Sequence, residues 1–414
     1  MINNENIEVI HLPYGVRMAF RPSRSQVAYC ALSIKCGTAN EPAEFSGMAH
    51  MTEHMLFKGT SKRTSTSINN RLERLGGELN AYTTKEETVL YSTVLREDIA
   101  KAIDLCFELV FDSQYLQREL NKERSVVLDE INLYKDSPSD YIFDDFEKYI
   151  FAGSTFERPI LGTIKSLKRI TSEAIHQYAN TNFVPSNMSL TVVGDFERGK
   201  LIKIAEKICN KYCVSRAENI APNNSVEVKE YKPFYLDISK KNHQANCIIG
   251  TQAYSIRDPR RIALILLVNI LGGPSSNSKL NSTLRERKAL VYNIEANYTQ
   301  YSTIGLVTIY FGCDKSNIDK CIALVKDELA KCTEAPLSAS ALKIAKKQML
   351  AQLAISAENG EVQALSIGKS ILSFDRYLSD EQVRAKVEAV TSEDILNVAK
   401  DIFEPSRLST LIYR

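Results

Sequence analysis

The segment 47–57 contains two histidines and a glutamate at a spacing that suits a metal ion. Its Ala, Met, Glu and Leu residues favour a helix, and Ser46 and Gly47 form a plausible helix start. Because residues four positions apart share a helix face, His50 and His54 are able to bind one ion, and imidazoles suit Zn²⁺. The order H-x-x-E-H reverses the commoner H-E-x-x-H. The pattern therefore predicts zinc binding.

Glu53 supplies the other half of this chemistry. It lies three residues after His50 and one before His54, so its carboxylate is able to hold a zinc-bound water. Zn²⁺ lowers the pKa of such a water toward about 7, and a neighbouring carboxylate takes the proton. Hydrolysis of a peptide bond needs that pairing. The alternative is a surface helix with two incidental histidines, but two of only 5 histidines in the chain lie in this arrangement, which favours the metal.

A catalytic zinc site needs a third protein ligand and an open fourth position. The segment 121–131 is a strong helix candidate and offers three acidic residues. Glu123 and Glu130 are seven positions apart, which brings them to nearly the same helix face. Spacing alone leaves the third ligand open among Glu123, Asp129 and Glu130.

Beyond these residues, the chain resembles the inverzincin metallopeptidases, which include pitrilysin, insulin-degrading enzyme and mitochondrial processing peptidase. The resemblance extends over essentially the whole chain, and a short two-domain, processing-peptidase-like member is the best match. Five segments have the family's motifs: 37–42, 47–60, 76–83, 158–163 and 187–195. Two family features are missing, namely a long glycine-rich loop and a histidine before Arg158, so substrate preference is not carried over.

The resemblance implies a function for several residues. The family's distal glutamate ligand falls on Glu130, 76 positions after His54, and its auxiliary acidic residue falls on Glu123, which we expect to orient a ligand or the metal-bound water. One Zn²⁺ per chain is implied. The family's Leu-Arg-x-x-x-x-Leu-x-Tyr element falls on 284–292, so Arg285 and Tyr292 are expected to bind the substrate and its developing oxyanion.

We also expect Asn80 and Ala81 to lie beside the metal on a strand edge. An extended peptide is able to add to such an edge through main-chain hydrogen bonds. Binding of this kind recognises the extended main chain more than the side chains, so it suits unfolded peptides of varied sequence.

An internal repeat predicts two homologous domains. Residues 171–179 and 391–399 are similar at an offset of 220, and both are followed by a proline turn and a β-rich stretch. We predict a catalytic domain at 1–213, a linker at 214–227 and a non-catalytic domain at 228–414 that lacks the zinc motif. Strand-like and helical patterns alternate in both, which favours an α+β fold with largely antiparallel sheets.

Composition excludes several other classes of protein. Net charge is +2, which argues against a nucleic-acid surface, and the longest apolar stretch is too short to span a membrane. The first residues do not have the pattern of a secretory signal, so we expect a cytoplasmic protein. The 9 cysteines are irregularly spaced and are expected to be reduced, mostly buried thiols.

The family implies a closed chamber built from two such two-domain units, and a homodimer is the simplest assembly. Arg285 and Tyr292 of one subunit would then face the zinc of the other, and peptides or small unfolded proteins would be the substrates. Two alternatives stay open. One is a subunit of a heteromeric processing peptidase, and the other is a non-catalytic scaffold homologue.

Overall fold

The computed structural model describes residues 7–219, 226, 231–240 and 242–414. The described residues form two compact units. Unit 1 consists of those within 1–131, 158–225 and 354–379, and unit 2 of those within 132–157, 226–353 and 380–414.

The strands alternate along the chain with helices of very different length. The strands are β1 Ile10–His11, β2 Arg17–Pro22, β3 Val27–Ile34, β4 Glu78–Thr83, β5 Thr88–Leu95, β6 Met188–Gly194, β7 Tyr235–Ile238, β8 Ala245–Ala253, β9 Val291–Gln300, β10 Gly305–Cys313 and β11 Ser409–Tyr413. The α-helices are α1 Met48–Leu56, α2 Ser65–Glu73, α3 Ile99–Asp112, α4 Gln117–Lys135, α5 Pro138–Ile150, α6 Ile164–Leu167, α7 Ser172–Asn182, α8 Arg198–Tyr212, α9 Arg261–Gly272, α10 Ile318–Glu334, α11 Ala339–Ser356, α12 Gly360–Phe374, α13 Asp380–Ala389 and α14 Ser392–Ile402.

Each unit is built on one mixed sheet. Unit 1 has the order β1-β2-β6-β3-β5-β4, in which only the β2–β6 pair is parallel. Unit 2 has the order β7-β11-β8-β10-β9, in which only β7–β11 is parallel. The predicted α+β fold with two homologous domains and largely antiparallel sheets is confirmed.

The repeat seen in the sequence corresponds to equivalent structure in the two units. Thr171 accepts a hydrogen bond from Ala174 N–H and caps α7, and Thr391 caps α14 in the same way through Asp394 N–H. Each helix leads through a 3₁₀ turn that begins with a proline into an interior strand of its sheet, β6 or β11. The two segments therefore use the same cap, turn and strand.

The face of each sheet away from the main core is covered by a helix from a distant part of the chain. In unit 1, α12 packs on β3 and β6, and in unit 2, α5 packs on β8. Both contacts are close: a Cβ on Gly368 of α12 would lie 2.6 Å from Ser33 Oγ, and a Cβ on Gly250 of β8 would lie 2.9 Å from Phe146 Cζ. The compact units are therefore discontinuous in sequence.

The predicted domain boundaries concern the sequence repeat and stay a prediction. Half of the predicted linker, residues 220–225 and 227, lies outside the described residues, and Cys213–Arg216 forms a 3₁₀ turn. All nine cysteines are buried and free, as expected. Within the described ranges, no helix has both the length and the apolar character needed to cross a membrane, and the predicted compartment stays a prediction.

Gly368→Ala tests the packing of α12 on the first sheet. We expect a loss of about 1–3 kcal/mol in the free energy of unfolding, because the added methyl group has no room. Gly199→Ala in α8 is the control, since the nearest atom to an added Cβ there is Glu197 Oε1 at 3.9 Å, and the helix should gain up to about 1 kcal/mol. Urea denaturation measures both. Equal effects would contradict the close contact.

Candidate metal centre

The helix α1 has no side-chain cap from its own N-cap residue. Gly47 precedes it with a φ of 91° and has no side chain to cap the first N–H groups. Glu41 supplies the cap from outside the helix, because its Oε1 accepts from Ala49 N–H at 2.7 Å and its Oε2 from Gly47 N–H at 3.0 Å. The Glu41 side chain is buried. Burial raises the pKa of Glu41 to about 8, and the two hydrogen bonds act in the opposite direction. Through these two bonds Glu41 anchors the predicted metal helix.

His50 and His54 lie one turn apart on α1, as their spacing predicts. Their ring centroids are 4.6 Å apart. Burial, and then the neighbouring His54, lower the pKa of His50 to about 3. His50 is therefore neutral over the physiological range, which is the form that binds a metal ion. Its Nδ1 is buried and has no hydrogen-bond partner among the described residues.

The helix α4 brings Glu130 to the two histidines. One ligand atom each from His50, His54 and Glu130 lie within 4.8 Å of one another. Glu130 Oε1 lies 3.7 Å from His54 Nε2, and Glu130 Oε2 is buried without a partner among the described residues. Two imidazoles and one carboxylate are a ligand set that catalytic zinc uses, so these residues fit the ion. Asp129, the other acidic residue of this turn, is exposed.

Glu123 lies behind His54 and outside the three-residue cluster. Its Oε2 is 3.1 Å from His54 Nδ1, and its Oε1 is 2.7 Å from Lys58 Nζ. This is the position of a residue that orients a ligand. Sequence reasoning missed Lys58, although its position four residues after His54 was a signal.

Glu53 lies beside the cluster and is 8% exposed. Burial raises the pKa of its carboxyl group, while a hydrogen bond from Thr83 acts in the opposite direction. Thr83 Oγ1 donates to Glu53 Oε2 at 2.7 Å. A carboxyl group in this position is suited to accept and return protons. Sequence reasoning also missed the contact made by Thr83, because it joins a strand to a helix.

Asn80 and Ala81 lie on β4, which is an edge strand of the first sheet and packs against α1. In the described part of the chain β4 pairs with β5 alone, and Ala81 lies opposite Leu90. Asn80 is exposed and Ala81 is half-buried. The expected strand edge therefore lies against the helix that carries the histidines, while peptide binding there stays a prediction.

Arg285 and Tyr292 belong to unit 2. Arg285 is exposed at the end of a π-helical turn, Asn281–Glu286, and Tyr292 lies at the start of β9. The Tyr292 hydroxyl donates to Asp314 Oδ1 at 2.8 Å, and its side chain is largely exposed. Their predicted contact with substrate stays a prediction.

Two family models match the chain. One, described as Insulinase (Peptidase family M16), matches residues 17–164, which include the whole histidine and glutamate cluster. The other, described as Peptidase M16 inactive domain, matches residues 169–349. The chain belongs to the M16 peptidase family, with two domains. The description of the second model fits the predicted lack of a zinc motif in the second half.

Full-length relatives support this membership. Uncharacterized zinc protease YmxG of Bacillus subtilis is 29% identical to this M16 family protein over 400 residues, which cover 96% of each chain. An uncharacterized zinc protease of Rickettsia felis is 28% identical over 381 residues, which cover 92% of this chain and 91% of the relative.

Solved structures show the same fold. A protease from Helicobacter pylori superposes with a TM-score of 0.89 at 19% identity and covers 99% of both chains. A Pseudomonas fluorescens protein described as a peptidase M16 inactive domain also has a TM-score of 0.89 at 19% identity, with 99% of this chain and 98% of that chain covered.

Gly47→Ala tests the start of the metal helix. An added Cβ would lie 2.8 Å from Leu161 O, and the φ of 91° strains any residue other than glycine. We expect the free energy of unfolding to fall by about 2–4 kcal/mol, since strain and overpacking add, and zinc affinity to fall with it.

Gly76→Ala is the matched control. Gly76 has a φ of 73°, but nothing lies within 4 Å of the added Cβ. We expect this variant to lose only about 1 kcal/mol from backbone strain and to bind zinc as the parent does. Urea denaturation and zinc titration measure both, and equal losses in the two variants would show that contact at the helix start is unimportant.

Proposed function

We propose that this protein is a zinc-dependent endopeptidase that cleaves peptides or small unfolded proteins. The observation that carries the proposal is the cluster of His50, His54 and Glu130 with the carboxyl group of Glu53 beside it. The names of the relatives, zinc proteases, support the same activity. His50, His54 and Glu130 would hold one Zn²⁺ per chain.

The proposed reaction assigns the proton transfers to Glu53. Zn²⁺, when bound, supplies a Lewis acid that lowers the pKa of a water and polarises a carbonyl oxygen. Glu53 accepts the proton of the attacking water and delivers it to the nitrogen of the leaving amine. Because Thr83 holds Glu53 Oε2, Oε1 is the oxygen that takes the proton. Arg285 and Tyr292 would stabilise the carbonyl oxygen as it gains negative charge.

Substrate binding is assigned to the edge of β4. The main-chain groups of Asn80 and Ala81 would pair with an extended peptide, as in strand addition to a sheet edge. Main-chain pairing requires an unfolded substrate and is tolerant of its side chains. This supports peptides and small unfolded proteins as the substrate class.

The first test is hydrolysis of a quenched peptide library by the parent and by Glu53→Gln. We expect the substitution to lower kcat by about 10²–10⁴-fold, because the amide cannot accept the proton. A chelator should abolish parent activity, and added zinc should restore it. Glu73→Gln, at an exposed position of α2, is the control for the chemistry of the substitution. Equal rates in the Glu53→Gln variant and the parent would remove Glu53 from the mechanism.

We also infer that the active form is a homodimer with a closed chamber, in which Arg285 and Tyr292 of one subunit serve the metal site of the other. The chain carries both the zinc motif and the Arg-Tyr element, so two identical chains are sufficient. The same surface patch is used twice in a symmetric dimer. Sedimentation of an active monomer would count against this assembly.

Mixed dimers test the sharing of residues directly. Glu53→Gln and Arg285→Ala should each be inactive alone. When the two are mixed in equal amounts, half of the dimers carry one intact site, so we expect about a quarter of parent activity. If each subunit uses its own Arg285, mixing restores nothing. Co-purification of a second polypeptide would instead favour a heteromeric peptidase.

A further inference from the structure

Lys58 is a cation close to the metal centre that has no function in the proposed reaction. It follows α1 by two residues, and its N–H donates to Met55 O at 3.2 Å. Its ammonium group lies 2.7 Å from Glu123 Oε1. The relative exposure of the two side chains is 27% for Lys58 and 9% for Glu123. The ion pair is therefore shielded, and the glutamate is its more deeply buried member.

Glu123 uses its two oxygens for two different partners. While Oε1 contacts Lys58, Oε2 lies 3.1 Å from His54 Nδ1. A carboxylate buried this far is stable only when its oxygens are paired. Because Lys58 holds one oxygen, the planar carboxylate is turned so that the other faces the imidazole. The contact with His54 depends on that orientation.

The orientation of Glu123 decides which nitrogen of His54 is available. A carboxylate at Nδ1 accepts the proton that Nδ1 carries, and the lone pair is then on Nε2. Nε2 is the atom that lies 3.7 Å from Glu130 Oε1. His50 has no comparable support, since its Nδ1 has no hydrogen-bond partner among the described residues. The ion pair of Lys58 with Glu123 therefore lies next to His54 and has no counterpart at His50 in the described residues.

We propose that Lys58 is a positioning residue of the metal centre: its ion pair with Glu123 holds that carboxylate on His54 Nδ1 and keeps Nε2 free for the ion. The proposal rests on the proposed zinc site but needs no peptidase activity. Loss of a residue that orients a metal-bound histidine typically weakens binding by about 10–100-fold, and we expect an effect of that size.

The test measures zinc affinity of the full chain by competition with a chromophoric chelator. Lys58→Met should raise the dissociation constant about 10-fold or more, while Lys58→Arg, which keeps the cation, should restore most of the affinity. Lys62→Met is the matched control. Lys62 lies in the same segment but is 51% exposed and pairs with Asp112 at 3.7 Å. Equal dissociation constants for Lys58→Met and Lys62→Met would overturn the proposal.

A double-mutant cycle tests the route of the effect. If Lys58 acts through Glu123, then Lys58→Met should change zinc affinity little in a Glu123→Gln background. A full effect in that background would show another route and overturn the proposal. Thermal unfolding of each metal-free variant separates weaker zinc binding from a general loss of folding.

Nitrogen-15 NMR of the histidine rings measures which ring nitrogen carries the proton, a property that a general loss of protein stability does not change. The parent should show His54 protonated at Nδ1, and Lys58→Gln, which keeps a polar side chain, should show a mixture of tautomers. An unchanged ring signal would overturn the proposal. If neither parent nor variants bind zinc, the proposed function fails as well; if all bind it equally, only the role of Lys58 fails.

Discussion

The hydrogen bonds from Gly47 and Ala49 to Glu41 are the contacts on which the rest of the proposed metal centre depends. The helix α1 has only 9 residues, and isolated helices of that length are unstable in water. It nevertheless carries both histidines and Glu53. Both oxygens of Glu41 accept N–H groups at the positive end of the helix, and these bonds act against burial, which raises the pKa of the carboxyl group to about 8.

Two of the segments that resemble the family's motifs contact each other at the start of α1, which gives these motifs a structural role. Glu41 belongs to the segment 37–42, and its main-chain oxygen accepts from Arg158 Nη1 at 2.7 Å. In the second segment, 158–163, a Cβ on Gly162 would lie 2.3 Å from Ser46 O. The backbone before the metal helix is therefore held from two sides. Neither motif contains a proposed ligand, yet both determine where the ligands lie.

The separate supports of the site involve different elements. His54 is supported from α4 through Glu123, and Glu53 is supported from β4 through Thr83. The start of α1 is supported by Glu41. Substitution of Glu123 is therefore expected to act first on His54 and substitution of Thr83 first on Glu53, while loss of Glu41 affects the whole of α1. All of the residues involved belong to unit 1.

Local patterns in the sequence were sufficient for much of this arrangement. The spacing of His50 and His54 depends only on helix geometry, so the sequence alone predicted that the two rings share a face of α1. The proposed third ligand, Glu130, could not be predicted in this way. Spacing left it open among three acidic residues, because the rotation of α4 toward α1 depends on tertiary packing of buried side chains such as Leu120 and Val127.

Other features could not be predicted from local pattern at all. Nothing in the amphipathic sequence of α5 or α12 indicates which sheet the helix covers. The helix α5 comes from the first half of the chain but belongs to unit 2, and α12 comes from the second half but belongs to unit 1. The contacts of Lys58 and Thr83 join residues that are 65 and 30 positions from their partners in the sequence. Polar residues of this kind are usually solvated, so only their three-dimensional neighbours reveal their role.

The helix α1 and its counterpart in unit 2, α9, have equivalent positions in their folds but different side chains. In unit 1, α1 packs against the edge strand β4 and against α7, and in unit 2, α9 packs against the edge strand β9 and against α14. The two helices thus have equivalent places in two similar folds. Yet α9 reads Arg-Ile-Ala-Leu-Ile-Leu-Leu-Val-Asn-Ile-Leu-Gly and fills its place with core side chains.

The helix at this position therefore stabilises unit 2 through apolar burial, whereas in unit 1 it carries the polar cluster. Burying His50 and Glu53 is costly unless their polar atoms find partners, whereas the leucines of α9 contribute directly to the core. A fold of this kind offers the position to both copies, and the identity of a few side chains decides whether it becomes a metal centre or part of the core.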